Sequence, residues 1–225
     1  MSGIWAVVPV KPLRGALRRL TTALEAPVRR ELQVAMLTDV LGACAGAAGL
    51  EGVMVVTSDP DAAALAARLA GARVVPDHDP PRGMNAAVSR GLAAVAAEGA
   101  EAALVLTADL PLARPGDIAA ILEHRVADCS VVLVPSADGT GTNAMLLSPP
   151  EALRPRLGPD SLARHSAQAL RRGLAMTRLP VAGLALDIDT PADLIALMAV
   201  GGQCATLEAC ARLEMGVLLG VGSTL

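Results

Sequence analysis

Asp109, Asp187 and Asp189 have side chains suited to phosphate chemistry. Asp109 closes the apolar run LVLTADLPL, and the other two acids close LALDIDTPADL. Short apolar runs of this kind form buried strands. Acids at their ends project from the carboxyl edge of a sheet, where α/β proteins bind ligands. Asp187 and Asp189 are separated by one residue, so in an extended chain they share a face. Three carboxylates gathered there would make a hard-oxygen site suited to Mg²⁺ or Mn²⁺.

Other polar groups lie at similar junctions. Lys11 sits in Val-Pro-Val-Lys-Pro-Leu after the first apolar run. A basic loop there can hold a triphosphate through the ammonium and backbone N–H groups. The segment Pro-Ser-Ala-Asp-Gly-Thr-Gly-Thr-Asn over 135–143 is rich in hydroxyl and glycine. It reads either as a polar hairpin loop or as a nest of donors for an anion. Gly158-Pro159-Asp160-Ser161 follows, with His165 four residues beyond Ser161. Ser161 is a candidate N-cap, and His165 would lie on the same helical face. His165 is therefore weighed as a ligand contact against a structural histidine.

These groups need a scaffold. The pattern alternates strand and helix: strands at 4–8, 53–57, 72–75, 104–107, 130–135, 144–147, 176–179 and 184–187. Helices fall at 29–43, 62–69, 84–97, 117–124, 161–172 and 190–200. Thr190, Pro191 and Asp193 form a capping-box start for the last of these. Repeated β-α-β order predicts a three-layer α/β/α domain with a mainly parallel, mixed sheet. Residues 1–200 are expected to form one domain. An interruption around 135–176 is placed for an acceptor, and 201–225 is a tail with a weak helical pattern at 206–219.

Composition narrows the function classes. The chain of 225 residues is 53% hydrophobic and 18% charged, which is globular composition. Trp5 is its only aromatic residue, so no platform exists for stacking single-stranded bases. A net charge of −3 gives no electrostatic footprint for nucleic acid. The apolar runs are rich in Ala and Gly and broken by charges, so no membrane span is expected. No signal peptide is visible, and Cys44, Cys129, Cys204 and Cys210 lack CxxC spacing. Both features fit reduced thiols and a cytoplasmic protein. A homodimer is left open.

Taken in order, Val8–Leu13, Ala108–Pro111, Asp138-Gly139-x-Gly-Thr-Asn143, Gly158-Pro159-x-Ser161-x-x-x-His165 and Leu186–Pro191 resemble one family. It is the 2-phospho-L-lactate guanylyltransferase family of coenzyme F-420 biosynthesis, which includes phosphoenolpyruvate and 3-phosphoglycerate guanylyltransferases. The resemblance spans about residues 4–200. It implies a nucleotidyltransferase of the glycosyltransferase-A-like fold. Such an enzyme would join GMP from GTP to a phosphorylated three-carbon acid and release pyrophosphate.

By that resemblance Asp109, Asp187 and Asp189 hold a divalent metal, and Lys11 contacts phosphate. Thr142, Gly158 and Ser161 bind the acceptor, and Gly83 and Asn85 lie near the guanine. Leu17 stands where the family often has Lys, and Arg18 or Arg19 could supply the missing charge. Two alternatives remain. A molybdopterin or sugar-phosphate nucleotidyltransferase would carry a Gly-rich first loop, where this chain has Val-Lys-Pro-Leu. A nucleotide-binding protein without turnover is the other.

Overall fold

The computed structural model describes residues 3–15, 17–78, 80–126 and 129–220. Seven strands form one sheet: β1 (Ile4–Pro9), β2 (Leu50–Thr57), β3 (Arg73–Pro76), β4 (Ala102–Leu106), β5 (Ser130–Pro135), β6 (Thr142–Ser148) and β7 (Ala175–Arg178). Their order is β3-β2-β1-β4-β6-β5-β7, and β6 alone runs antiparallel to its neighbours. The fold is therefore mixed α/β with a mostly parallel sheet, as expected.

Helices cover both faces because the central strands are apolar on both sides. One face carries α1 (Ala26–Gly46), α2 (Pro60–Ala70) and α4 (Pro115–Glu123) over Ala6, Val8, Leu104 and Leu106. The other carries α3 (Met84–Ala97) and α5 (Ser161–Arg171) over Val7, Val105, Met145 and Leu147. Gly91 sets how closely α3 approaches the sheet. A Cβ there would stand 2.5 Å from Val7 Cγ1 and 2.8 Å from Val56 Cγ2. The core holds no Phe or Tyr and is filled by aliphatic side chains and Met, with Trp5 as its one aromatic ring.

The expected strand at 184–187 does not form. Residues 182–185 make a single helical turn, α6 (Ala182–Ala185), and 186–189 follow without regular structure, outside the sheet. The carbonyls of Leu184 and Ala185 accept from the Asn143 amide at 2.9 and 3.1 Å. The Ala185 carbonyl also accepts from Ala137 N at 2.8 Å, a single backbone bond that does not extend into a ladder with any strand. Leu184 is buried while Ala185 and Leu186 are half-buried, and apolar character alone does not supply a pairing partner.

The tail left open by the sequence packs on α1. Helices α7 (Pro191–Val200), α8 (Ala205–Arg212) and α9 (Met215–Leu218) join Leu32, Met36 and Ile188 in a third apolar cluster. Asp39 of α1 anchors the start of α8, accepting from Ala205 N at 2.7 Å, Thr206 N at 3.0 Å and Thr206 Oγ1 at 2.6 Å. Burial pushes the Asp39 carboxyl up, and these bonds oppose the rise. Asp39→Ala is expected to cost about 2 kcal/mol. For a chain of this size that lowers Tm by roughly 4–8 °C in a thermal melt. Among the described residues no single helix is long and apolar enough to cross a membrane.

Candidate active site

The carboxyl edge of the sheet gathers groups from four loops. The chain leaves β1 through Val10, Lys11 and Leu13. Val10 N donates to Val56 O at 2.9 Å, and Leu13 N donates to Asp59 Oδ2 at 2.8 Å. Val10 and Leu13 are buried and Lys11 is exposed, so the loop is pinned with its ammonium outward. Arg18 and Arg19 follow in a short 3-10 turn, and both are exposed. Arg19 pairs with Asp189 at 2.7 Å, with both side chains largely open to solvent. Leu17 enters this turn at φ 53° and packs against the third cluster.

Asp109 stands three residues beyond β4. Its carbonyl accepts from Ile188 N at 3.0 Å, which stitches the 186–189 segment to the β4 loop. Ile188 is fully buried in the third cluster. Asp187 and Asp189 flank it in the chain, and both stand near enough to Asp109 for their charges to act on its carboxyl. Asp109 Oδ1 is buried and has no hydrogen-bond partner. Burial pushes the Asp109 carboxyl up to about 6; the Thr107 hydroxyl beside it opposes the rise, and the nearby charges of Asp187 and Asp189 add to it. Burial also raises Asp187, against the Asn143 hydrogen bond.

A buried, unpartnered carboxylate oxygen beside two further acids is an arrangement that a cation would relieve. Among the described residues, however, no three His, Cys, Asp or Glu side chains stand close enough to form a metal cage alone. The donors are all hard oxygens. Mg²⁺ commonly takes one or two carboxylates and completes its shell with water and substrate phosphates. These residues fit a metal that arrives with a nucleotide, rather than a resident ion.

Asn143 was passed over as a site residue, and it organises this edge. Besides the Leu184 and Ala185 carbonyls, its amide donates to Asp187 Oδ1 at 3.2 Å. A β-bulge makes this reach possible. Val134 pairs with Ala144 but Pro135 pairs with Thr142, so Asn143 is the extra residue on β6. The bulge breaks the alternation of β6. It sends Asn143 towards 184–187 and Thr142 towards α5. An Asn next to a hydroxyl at a strand start was the available signal, but nothing local marks a bulge.

On the α5 side, Gly158 has φ 110° and Asp160, not Ser161, is the N-cap residue. Ser161 is the first helical residue and is 2% exposed. Thr142 is 4% exposed, and its Oγ1 lies 3.0 Å from His165 Nδ1. His165 is fully buried, and its Nε2 accepts from Arg156 N at 2.9 Å. Both ring nitrogens are engaged within the protein, so His165 does not present itself to a ligand as its spacing suggested.

Gly83 begins α3 at φ 94°, with open space where a Cβ would stand. Asn85 meets the Leu157 backbone. Its amide donates to Leu157 O at 3.2 Å and its Oδ1 accepts from Leu157 N at 2.7 Å. That pair clamps the start of α3 to the Gly158 loop. Asn85 is exposed and keeps a second amide N–H and a second oxygen lone pair, so it can hold the loop and still meet a nucleotide.

Comparison with known proteins agrees with this geometry. A family profile described as guanylyl transferase CofC-like matches residues 4–225. The phosphoenolpyruvate guanylyltransferase of Conexibacter woesei is 44% identical over 195 residues, covering 86% of each chain. That of Rubrobacter xylanophilus is also 44% identical and covers 88% of this chain and 95% of its own. Among solved structures, a putative nucleotide-diphospho-sugar transferase from Desulfovibrio desulfuricans G20 superposes with a TM-score of 0.76. It shares 15% identity and covers 98% of both chains, a likeness of fold alone. Profile and relatives agree: the chain belongs to the CofC-like guanylyl transferase family, and is a nucleotidyltransferase.

Proposed function

We propose that this protein transfers GMP from GTP to the phosphate of a small phosphorylated three-carbon acid and releases pyrophosphate. The observation that carries the reading is the unpartnered Asp109 Oδ1, buried at the carboxyl edge and electrostatically coupled to Asp187 and Asp189. The names of the relatives favour phosphoenolpyruvate as the acid. 2-Phospho-L-lactate and 3-phospho-D-glycerate are its rivals, and the product would enter coenzyme F-420 biosynthesis.

An acceptor phosphate oxygen attacks the α-phosphorus of GTP. The bond from that phosphorus to the bridging oxygen breaks, and pyrophosphate leaves with the electron pair. The attacking phosphate is ionised at pH 7, so no side chain need act as a base. A Mg²⁺ or Mn²⁺ arriving with the triphosphate would be met by carboxylates from among Asp109, Asp187 and Asp189, with the phosphates completing its shell, and would neutralise charge there. Lys11 and Arg18, exposed on the first loop, bring cationic charge to the triphosphate. The Gly83 turn, with Asn85, receives the guanosine end. Thr142, Gly158 and Ser161 hold the acid, so that the reaction is driven by positioning.

The test is to incubate purified protein with GTP, Mg²⁺ and each acid in turn, and to measure pyrophosphate. Release is expected with phosphoenolpyruvate above the other two. No release with any of them would refute the assignment. Release with a sugar phosphate instead would move the enzyme to a different branch of the fold.

A further inference from the structure

His165 is a fully buried imidazole on the acceptor side whose nitrogens both meet protein atoms. The partner at Nε2 decides its protonation. Arg156 N is a backbone N–H and can only donate, so Nε2 must offer its lone pair. Burial, with the charges of Arg164 and Arg156 alongside, pushes the His165 pKa down to about 4, so the ring is neutral at pH 7. A neutral ring with a bare Nε2 carries its proton on Nδ1. That proton faces Thr142 Oγ1 at 3.0 Å, and the threonine oxygen accepts it.

Two consequences follow. The hydroxyl proton of Thr142 is not spent on His165, and no second protein acceptor meets it among the described residues. Thr142 is left as a hydrogen-bond donor. The opposite tautomer would force Thr142 to donate to Nδ1 and leave only oxygen lone pairs for a ligand. The same ring also fixes a distance. Arg156 is bound to Nε2, and the next residue, Leu157, is clamped at both its backbone groups by Asn85. The 156–158 loop is thus pinned from two sides and held in a set relation to Thr142. Thr142 on β6 and Gly158 on the loop come from different elements, and His165 joins them.

We propose that His165 is a positioning residue for the acceptor acid: it fixes the Thr142 hydroxyl as a donor to an anionic acceptor oxygen and locks that hydroxyl to the Gly158 loop. His165 itself touches no substrate. The inference rests on the acceptor role of Thr142 and Gly158 given above. It adds a demand on the ligand: the group at Thr142 must be an acceptor such as a carboxylate or phosphate oxygen. An acid esterified at that oxygen would be a poor substrate.

The experiment has two arms. In ligand-free protein with ¹⁵N-labelled histidine, His165 is expected to show a protonated Nδ1 and a bare Nε2 at pH 7. An Nε2-protonated ring overturns the proposal whether or not any acid is turned over. In the second arm, His165→Asn keeps an N–H donor near the Nδ1 position, whereas His165→Gln places its amide nearer Nε2. His165→Gln is expected to raise KM for the acceptor acid roughly tenfold or more, with KM for GTP within about twofold. His165→Asn should recover most of that loss, and Thr142→Val combined with His165→Gln should add little to either alone. A thermal melt of each variant separates this from misfolding. Equal acceptor KM in folded His165→Gln and wild type overturns the proposal. If wild-type protein turns over none of the three acids, the proposed function fails by itself. Phosphoenolpyruvate is then titrated into the labelled protein, and an unmoved His165 Nδ1–H signal overturns the positioning role as well.

Discussion

Asp109→Asn is expected to lower turnover by roughly a hundredfold or more while making the ligand-free protein more stable at pH 8. The two effects have one cause. The Asp109 carboxyl is held up at about 6 by burial and by neighbouring acids, against an ordinary value of 3.8. The folded protein therefore prefers this group protonated. The stability that preference confers is fully present below about pH 4 and is lost as the pH rises through 6. Asparagine never ionises and does not lose it. The shift corresponds to about 3 kcal/mol, and partial exposure of the residue reduces this to about 1–2 kcal/mol. At about 2–4 °C per kcal/mol, the variant should melt some 2–8 °C higher than wild type at pH 8. The gain should shrink towards pH 4. Thermal melts across that range, paired with pyrophosphate release, check both halves. A variant with near-normal turnover would remove Asp109 from the chemistry, and one no more stable than wild type at pH 8 would show that its charge is already compensated.

Asn143→Ala should damage both stability and turnover. The Asn143 side chain is 5% exposed as part of its residue and donates to Leu184 O, Ala185 O and Asp187 Oδ1. Truncation takes that donor from the buried Leu184 carbonyl, leaves the Ala185 carbonyl with Ala137 N, and frees Asp187 from the amide that orients it. A loss of about 2–3 kcal/mol is expected, or roughly 4–12 °C in Tm. Turnover should fall by about a hundredfold, because a displacement of about 1 Å in a positioning group costs that much. If Asp187 serves a metal, the Mg²⁺ concentration for half-maximal rate should rise as well. Asn143→Gln is a stringent companion, since its amide is one methylene too long for the bulge geometry. Wild-type turnover in Asn143→Ala with a lowered Tm would confine this residue to structure.

The sequence and the fold divide the work differently at different residues. The capping box at α7 was legible because it is local: Thr190 Oγ1 and Asp193 exchange bonds with each other's backbone within one turn. Strand ends at Asp109 and Lys11 were legible because apolar runs stop there. The tail was only weakly legible, since its helices are held by Asp39 and Met36, both more than 160 residues distant from it. The strand expected at 184–187 failed for the opposite reason. Its composition was right, but its carbonyls meet the Asn143 side chain and a single backbone N–H, that of Ala137, rather than a strand ladder.

What the sequence determined by itself was the alternation of strand and helix, the order of the motifs, and the acids' place after apolar runs. These follow from periodicity and from neighbours in the chain. Only the tertiary structure decided that β6 runs antiparallel, that a bulge turns Asn143 towards 184–187 and Thr142 towards α5, and that His165 and Asn85 bond to the backbone of 156–157. Each of those depends on which distant backbone group stands within 3 Å or so of a side chain. That distance is set by the packing of the whole sheet and its helices, and a single run of residues does not carry it.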